Sequence, residues 1–259
     1  MKNFFKSLAI CALAALTFAS CQKENAGGNM DDQSSVVSIN LTSPLMGTKA
    51  FADGKTVDVV HVHVYKVGAD NTLTYIAPGT GGTETPSKDV TMRSSGTATY
   101  STRLVTGQTY TFVFWAEKSG NGHYTYNHRT QTISVNYANA AGNDESRDAF
   151  YAVLKNVTIN GAYSASVALK RPFAQINFGA SDYDAAVAAG ITVTGAKVKL
   201  TGIANSINLL DGTVSGTETV TFAEAVLPTD PNATLTAANV DYKYVAMDYV
   251  LVGNGAKTL

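Results

Sequence analysis

Cysteine, charge and proline are all scarce in this chain, and each scarcity removes a class of explanation. Two cysteines in 259 residues allow at most one disulfide, so a disulfide-stapled scaffold is excluded. Only 15% of residues are charged, with 19 basic against 20 acidic. No basic stripe exists to follow a phosphate backbone, which removes the electrostatic footing for nucleic-acid binding. The longest apolar run is about 12 residues, Leu8–Ala19, where a membrane-spanning helix needs about 20. Six prolines and 22 glycines punctuate the chain without forming a low-complexity tract.

What is present begins at the N-terminus. Lys2 and Lys6 precede the apolar run, and Ser20-Cys21 closes it. A charged, an apolar and a small-residue part in that order make a signal peptide. Phe18-Ala19-Ser20-Cys21 resembles the lipobox of bacterial lipoproteins, so Cys21 is the expected lipidation site and residues 1–20 the removed leader. Cys11 leaves with the leader, and the remaining chain then has a single cysteine and no internal disulfide. Loss of Lys2 and Lys6 leaves 17 basic against 20 acidic residues, a net charge of −3. Residues 21–35 are almost without apolar side chains and read as a flexible tether. Gln22-Lys23-Glu24 resembles the export signal that takes Bacteroidetes lipoproteins to the outer face of the outer membrane. A lipid anchor there, and a cell-surface location, are therefore expected.

From Val36 onward the sequence is rich in Thr, Val, Tyr, Ala and Gly, with strand-like alternation every 8–12 residues, so the body is all-β. In Val57–Val67, Val60, Val62 and Val64 fall on one face, with His61, His63 and Tyr65 on the other; that imidazole-bearing face reads as exposed. Thr97–Leu104 and Thr109–Ala116 flank Gly107 and read as a hairpin. Further strands are expected at 36–42, 130–136, 150–154, 164–169, 174–178, 196–203, 217–222 and 242–252. One short helix is expected, capped within Ser181–Asp184, running through Ala185–Ala189 and ended by Gly190. Residues 36–165 and 166–259 are assigned to two sandwiches.

Chemistry-bearing constellations are few. No Gly-x-Ser-x-Gly elbow occurs, no glycine-rich stretch precedes a helix, and no residues show calcium-loop spacing. His61 and His63 offer two ligands where a zinc site needs three or four. The chain is read as a non-enzyme without cofactor or metal; a compact cluster of His61, His63 and an acidic residue would reopen that reading. Residues 122–129 (GHYTYNHR) carry His123, Tyr124, Tyr126 and His128, the candidate ligand contacts. The stretch reads as a loop running into a strand, and a plain loop and a glycan- or protein-contacting one are both open there. Trp115 reads as core.

Ala168–Gly179 (ALKRPFAQINFG), Tyr244–Val252 (YVAMDYVLV), Gly47–Gly54 (GTKAFADG) and the lipobox, in that relation, resemble the fimbrillin-like (Mfa-like) lipoproteins of Bacteroidetes, in particular a subgroup of unassigned function. The resemblance implies two transthyretin-like β-sandwich domains. It also implies a role in fimbriae or cell adhesion, with other pilus subunits, a host surface or a glycan as partners. In polymerising members a protease cuts after a basic residue near the first strand, and a strand from another subunit fills the groove. Lys49 stands at that cleavage position, where Arg is more usual. Members continue past the segment matching Tyr244–Val252, so the resemblance implies that the C-terminal domain is incomplete at Leu259.

Overall fold

The computed structural model describes residues 33–45, 53–79, 85–228, 234–238 and 240–254. Its first half contains β1 (Ser34–Thr42), β2 (Val59–Val67), β3 (Leu73–Tyr75), β4 (Lys88–Thr91), β5 (Thr97–Val105), β6 (Thr109–Glu117), β7 (Tyr124–Asn127) and β8 (Thr132–Val135). Then come β9 (Phe150–Thr158), β10 (Tyr163–Ala168), β11 (Phe173–Ala180), α1 (Tyr183–Ala188), β12 (Gly195–Ile203) and β13 (Ser206–Asn208). The last four are β14 (Val214–Ser215), β15 (Glu218–Val226), β16 (Thr234–Ala237) and β17 (Val240–Leu251). The fold is all-β with one short helix among the described residues.

A sheet of order β3-β2-β6-β9, with β4 also paired to β2, is the middle layer. β6 and the start of β9 are buried on both faces, which is the pattern of a sheet covered on both sides. Val60, Val62, Val64, Phe112, Phe114, Phe150 and Ala152 point into one core, closed by Val37, Ile39, Leu41 and Tyr100 of the sheet β10-β1-β5. Tyr65, Val113, Trp115 and Tyr151 point into a second core with Ile133, Phe222, Met247 and Tyr249. That second core is built by the sheets β14-β13-β8-β7, β11-β17-β16 and β12-β15. The sequence boundary at 165/166 falls inside β10, and β1 begins at Ser34, inside the expected tether.

Three expectations are corrected. β5 and β6 do not form a hairpin: β5 pairs with β1, while β6 pairs with β2 and β9. Gly107, at φ +78°, carries the chain from one layer to the other, and Tyr100 and Phe112 meet edge-to-face across the core at 6.2 Å. β5 buries alternate side chains only, as a strand with one face on the core does, whereas β6 is buried on both faces as a strand of the middle layer. The second correction concerns the His61/His63 face of β2, which is not open to solvent: β7 and β8 lie against it, as described below. Finally, the expected short helix is present as α1, six residues long, but its N-cap Asp182 makes no side-chain capping bond.

Candidate functional site

Two places in the fold combine unusual geometry with functional residue types. The first is the position of β1. It lies between β10, to which it is parallel, and β5, to which it is antiparallel. β10 and β5 pair with β1 and not with each other. Ladder positions run from Val37 opposite Tyr163 to Thr42 opposite Ala168, and from Ser34 opposite Val105 to Thr42 opposite Thr97. Backbone bonds continue beyond the strand: Thr106 N–H donates to Gln33 O at 2.7 Å, and Ser43 N–H to Gly96 O at 2.8 Å. Val37, Ile39 and Leu41 are fully buried. Burying three such side chains contributes on the order of 5–9 kcal/mol, comparable with the whole stability of a typical domain, about 5–15 kcal/mol. The slot that β1 fills is not one the fold can leave empty. Cys21 and Lys49 lie outside the described residues, on either side of β1 in sequence.

The second place is a cleft of about 190 Å³ between β2, the end of β6 and the β7–β8 hairpin. It is lined by His61, His63, Trp115, Glu117, Tyr124, Tyr126 and Ile133. Cross-strand register puts His61 opposite Trp115 and His63 opposite Val113, so both imidazoles share the face on which Trp115 lies. The β7–β8 hairpin brings Tyr126 flat onto His63, ring centroids 3.8 Å apart and planes 13° from parallel. Tyr124 meets Trp115 edge-to-face at 5.0 Å and donates its hydroxyl hydrogen to the carbonyl of Arg147. Tyr126 and Tyr65 bond through their hydroxyls.

The two histidines differ in state. His61 Nδ1 is 2.7 Å from Asp89 Oδ1, and Nε2 is 3.3 Å from Glu117 Oε1. Burial works against its charge, yet the bonds from Glu117 and Asp89 outweigh burial and hold the imidazole above the ordinary histidine value. Glu117 is fixed further by Trp115, whose Nε1–H donates to Oε2 at 2.8 Å. His63 is pushed down to about 4 by burial, with the neighbouring His61 adding to the effect. Neither of its ring nitrogens has a hydrogen-bond partner, and both are shielded from solvent.

Of the four residues singled out in 122–129, Tyr124 and Tyr126 line the cleft. They lie on β7, the strand into which the expected loop runs. His123 turns away: its Nε2 lies 2.9 Å from Ser146 Oγ and 3.3 Å from Asp144 Oδ2. His128 stacks on Tyr75 at 4.8 Å. Glu117 and Asp89 were not singled out from sequence, because no spacing links residues 61, 89 and 117; only the pairing of β4 and β6 with β2 does.

His61, His63 and two carboxylates do therefore gather in one place, the condition that would reopen an enzymatic reading. Both nitrogens of His61 are engaged by carboxylates and both of His63 are buried. Among the described residues no group of three or more His, Cys, Asp or Glu is placed to hold a metal ion. Also among them, no helix is long and apolar enough to cross a membrane.

A model of the family of unknown function DUF6562 matches residues 31–259. No curated protein matches the chain in sequence. Among solved structures, it is similar to a candidate polysaccharide-binding protein (DUF1812) of Bacteroides thetaiotaomicron, with 13% identity and a TM-score of 0.52 over 83% of this chain and 71% of that one. It is also similar to a candidate adhesin of Bacteroides ovatus, at 10% identity and TM-score 0.46 over 89% and 71% of the two chains. The fimbrial anchor protein Mfa2 of Porphyromonas gingivalis matches at 14% identity and TM-score 0.42 over 83% and 73%. The first of these likenesses shows a shared fold.

Proposed function

The chain belongs to the family of unknown function DUF6562, and from that premise we propose that it is a non-enzymatic, fimbrillin-like surface subunit that joins partner subunits by exchange of a β-strand. In this reading Cys21 carries the lipid that tethers it to the outer membrane, and cutting after Lys49 releases β1 together with that tether. The observation that carries the proposal is the place of β1. It is the strand nearest the expected cut, yet it occupies the middle of its sheet and fills a core with Val37, Ile39 and Leu41. Once it leaves, β5 and β10 each face an unpaired ladder edge over an apolar slot. A strand from another chain restores both, main-chain bonds giving affinity and the side-chain pockets giving selectivity.

The test is the mature chain treated with a lysine-specific protease, followed by light scattering and mass spectrometry. Cleavage after Lys49 is expected to yield species larger than the monomer, with residues 21–49 lost, and Lys49→Gln is expected to remain monomeric. A cut chain that sheds residues 21–49 and stays a folded monomer overturns the proposal.

A second reading, a ligand-binding surface module, is favoured by the cleft between β2, β6 and β7. The two are compatible in one molecule, because β1 and the cleft lie on opposite sides of the middle sheet.

A further inference from the structure

We infer that the cleft takes one neutral, hydroxylated sugar ring, with the Glu117 carboxylate accepting hydrogen bonds from neighbouring hydroxyls and the Tyr124 and Tyr126 rings forming its walls. The inference rests on the ligand-binding reading and is independent of strand exchange. The size is the first support: about 190 Å³ suits a single ring and not an extended chain lying inside.

The second support is how the carboxylate is held. A carboxylate has about four acceptor positions. Glu117 uses one on each oxygen, for His61 Nε2 and for Trp115 Nε1. Those two bonds hold one oxygen each, and about half of the group's acceptor capacity stays open. The side chain is only 13% exposed, so the group is oriented in advance and partly stripped of water. A pair of adjacent hydroxyls is the donor arrangement that two oxygens about 2 Å apart can satisfy together.

Charge separates this ligand from a cationic one. His61 sits between Asp89 and Glu117, so the negative charge nearest the cleft already faces an imidazole. Asp89, the second carboxylate, is 64% exposed, and water and salt weaken its field. A cation would have to compete with His61 for Glu117, whereas a neutral hydroxyl adds to the existing bonds without displacing one. Aromatic walls then suit the apolar C–H face of a sugar ring, leaving its hydroxyl edge for the carboxylate.

Trp115 is the only tryptophan in the chain and lines the cleft, so its fluorescence reports entry directly. The mature protein is titrated with the methyl glycosides of glucose, galactose, mannose, fucose and N-acetylglucosamine, and separately with ethylammonium chloride. At least one glycoside is expected to give a saturable change in Trp115 emission. Glu117→Gln is expected to weaken that binding at least tenfold, the size of one hydrogen bond to a charged acceptor. The emission titration of the unaltered protein needs no variant and stands if Glu117→Gln does not fold. Saturation by ethylammonium with no response to any glycoside overturns the sugar assignment and leaves the ligand-binding reading intact. No saturation by any probe overturns both.

Discussion

His63 and Tyr126 stack at 3.8 Å, and the histidine in that pair has no hydrogen bond at either ring nitrogen. A neutral imidazole tolerates this, because it packs as a flat aromatic ring between Tyr126 and Tyr75. An imidazolium does not, since a buried charge without a partner is strongly disfavoured. The contact that seals the β7–β8 hairpin over β2 therefore depends on His63 remaining neutral.

Acid should loosen the fold through this residue. The unfolded histidine takes up a proton near 6.5, the native one only near 4. Between those values the unfolded state binds more protons, so stability falls as pH drops through the window from about 6.5 to about 4. Allowing for the partial exposure of the ring, the loss is on the order of 2 kcal/mol. His61 acts in the other direction and elsewhere: its contribution is complete below pH 6.5 and is lost as pH rises through its raised native value. Urea midpoints measured from pH 7 to pH 4 are expected to fall for the wild type and to stay flatter for His63→Phe, which keeps the stack. Parallel curves would remove His63 as the cause.

Asp248 gives the opposite slope. It is 2% exposed on β17, neither carboxylate oxygen has a hydrogen-bond partner, and burial pushes it up to about 7 despite the charge of Arg147 nearby. Here the native state binds the extra proton between about 3.8 and 7, so stability declines as pH rises through that range and then levels. Asp248→Asn mimics the protonated form. It is expected to stabilise the protein at pH 8 by on the order of 2 kcal/mol and to change little at pH 4, read by urea unfolding at both values. An equal effect at the two pH values would contradict the assignment.

Arg171 and Asp148 tie the start of β11 to the residue before Ala149 and β9. The guanidinium binds the carboxylate with two bonds, of 2.6 Å and 2.8 Å, and lies 4.9 Å over the Phe150 ring. Asp148 is fully buried, and burial raises its pKa even beside the arginine. Arg171→Ala strands that carboxylate and is expected to cost about 3–5 kcal/mol. Arg171→Lys keeps the charge without the two-pronged geometry and is expected to recover only part of the loss. Adding Asp148→Asn to Arg171→Ala should restore more than Lys does, because it removes the stranded charge; chemical denaturation of the three variants checks the order.

Strand positions were legible in the sequence, and strand neighbours were not. Alternation places Val60, Val62 and Val64 on one face, and the structure keeps them together in one core. Alternation does not say which strand lies alongside, so β5 and β6 were paired by proximity in the chain while their burial sets them in different layers. β7 was hidden because its four residues are flanked by Gly122 and a turn, too short for a period to show. The cleft was illegible for the same reason. Composition singles out Tyr124 and Tyr126, but their meeting with His61, His63 and Glu117 needs the long-range pairing of β2 with β6 and the packing of the local β7–β8 hairpin against it. An imidazole-bearing face reads as exposed until a distant hairpin is known to cover it.

Strand exchange has its sharpest test in the register of β1. A chain beginning at residue 50 lacks the strand whose buried side chains contribute an amount comparable with the stability of the whole domain, and it is expected to aggregate or to bind a hydrophobic dye. A synthetic peptide of residues 33–45 should restore a folded, monomeric complex, seen as a cooperative thermal transition absent from either part alone. The pairing puts Val37, Ile39 and Leu41 inward and Ser38 and Asn40 outward. Ile39→Asp in the peptide should therefore abolish rescue, while Asn40→Asp, on the solvent face, should leave it nearly unchanged. A shift of one residue along the ladder would reverse the two outcomes, because successive side chains point to opposite faces. Rescue by both peptides, or by neither, would show that the slot selects no strand, and exchange through β1 would have to be abandoned.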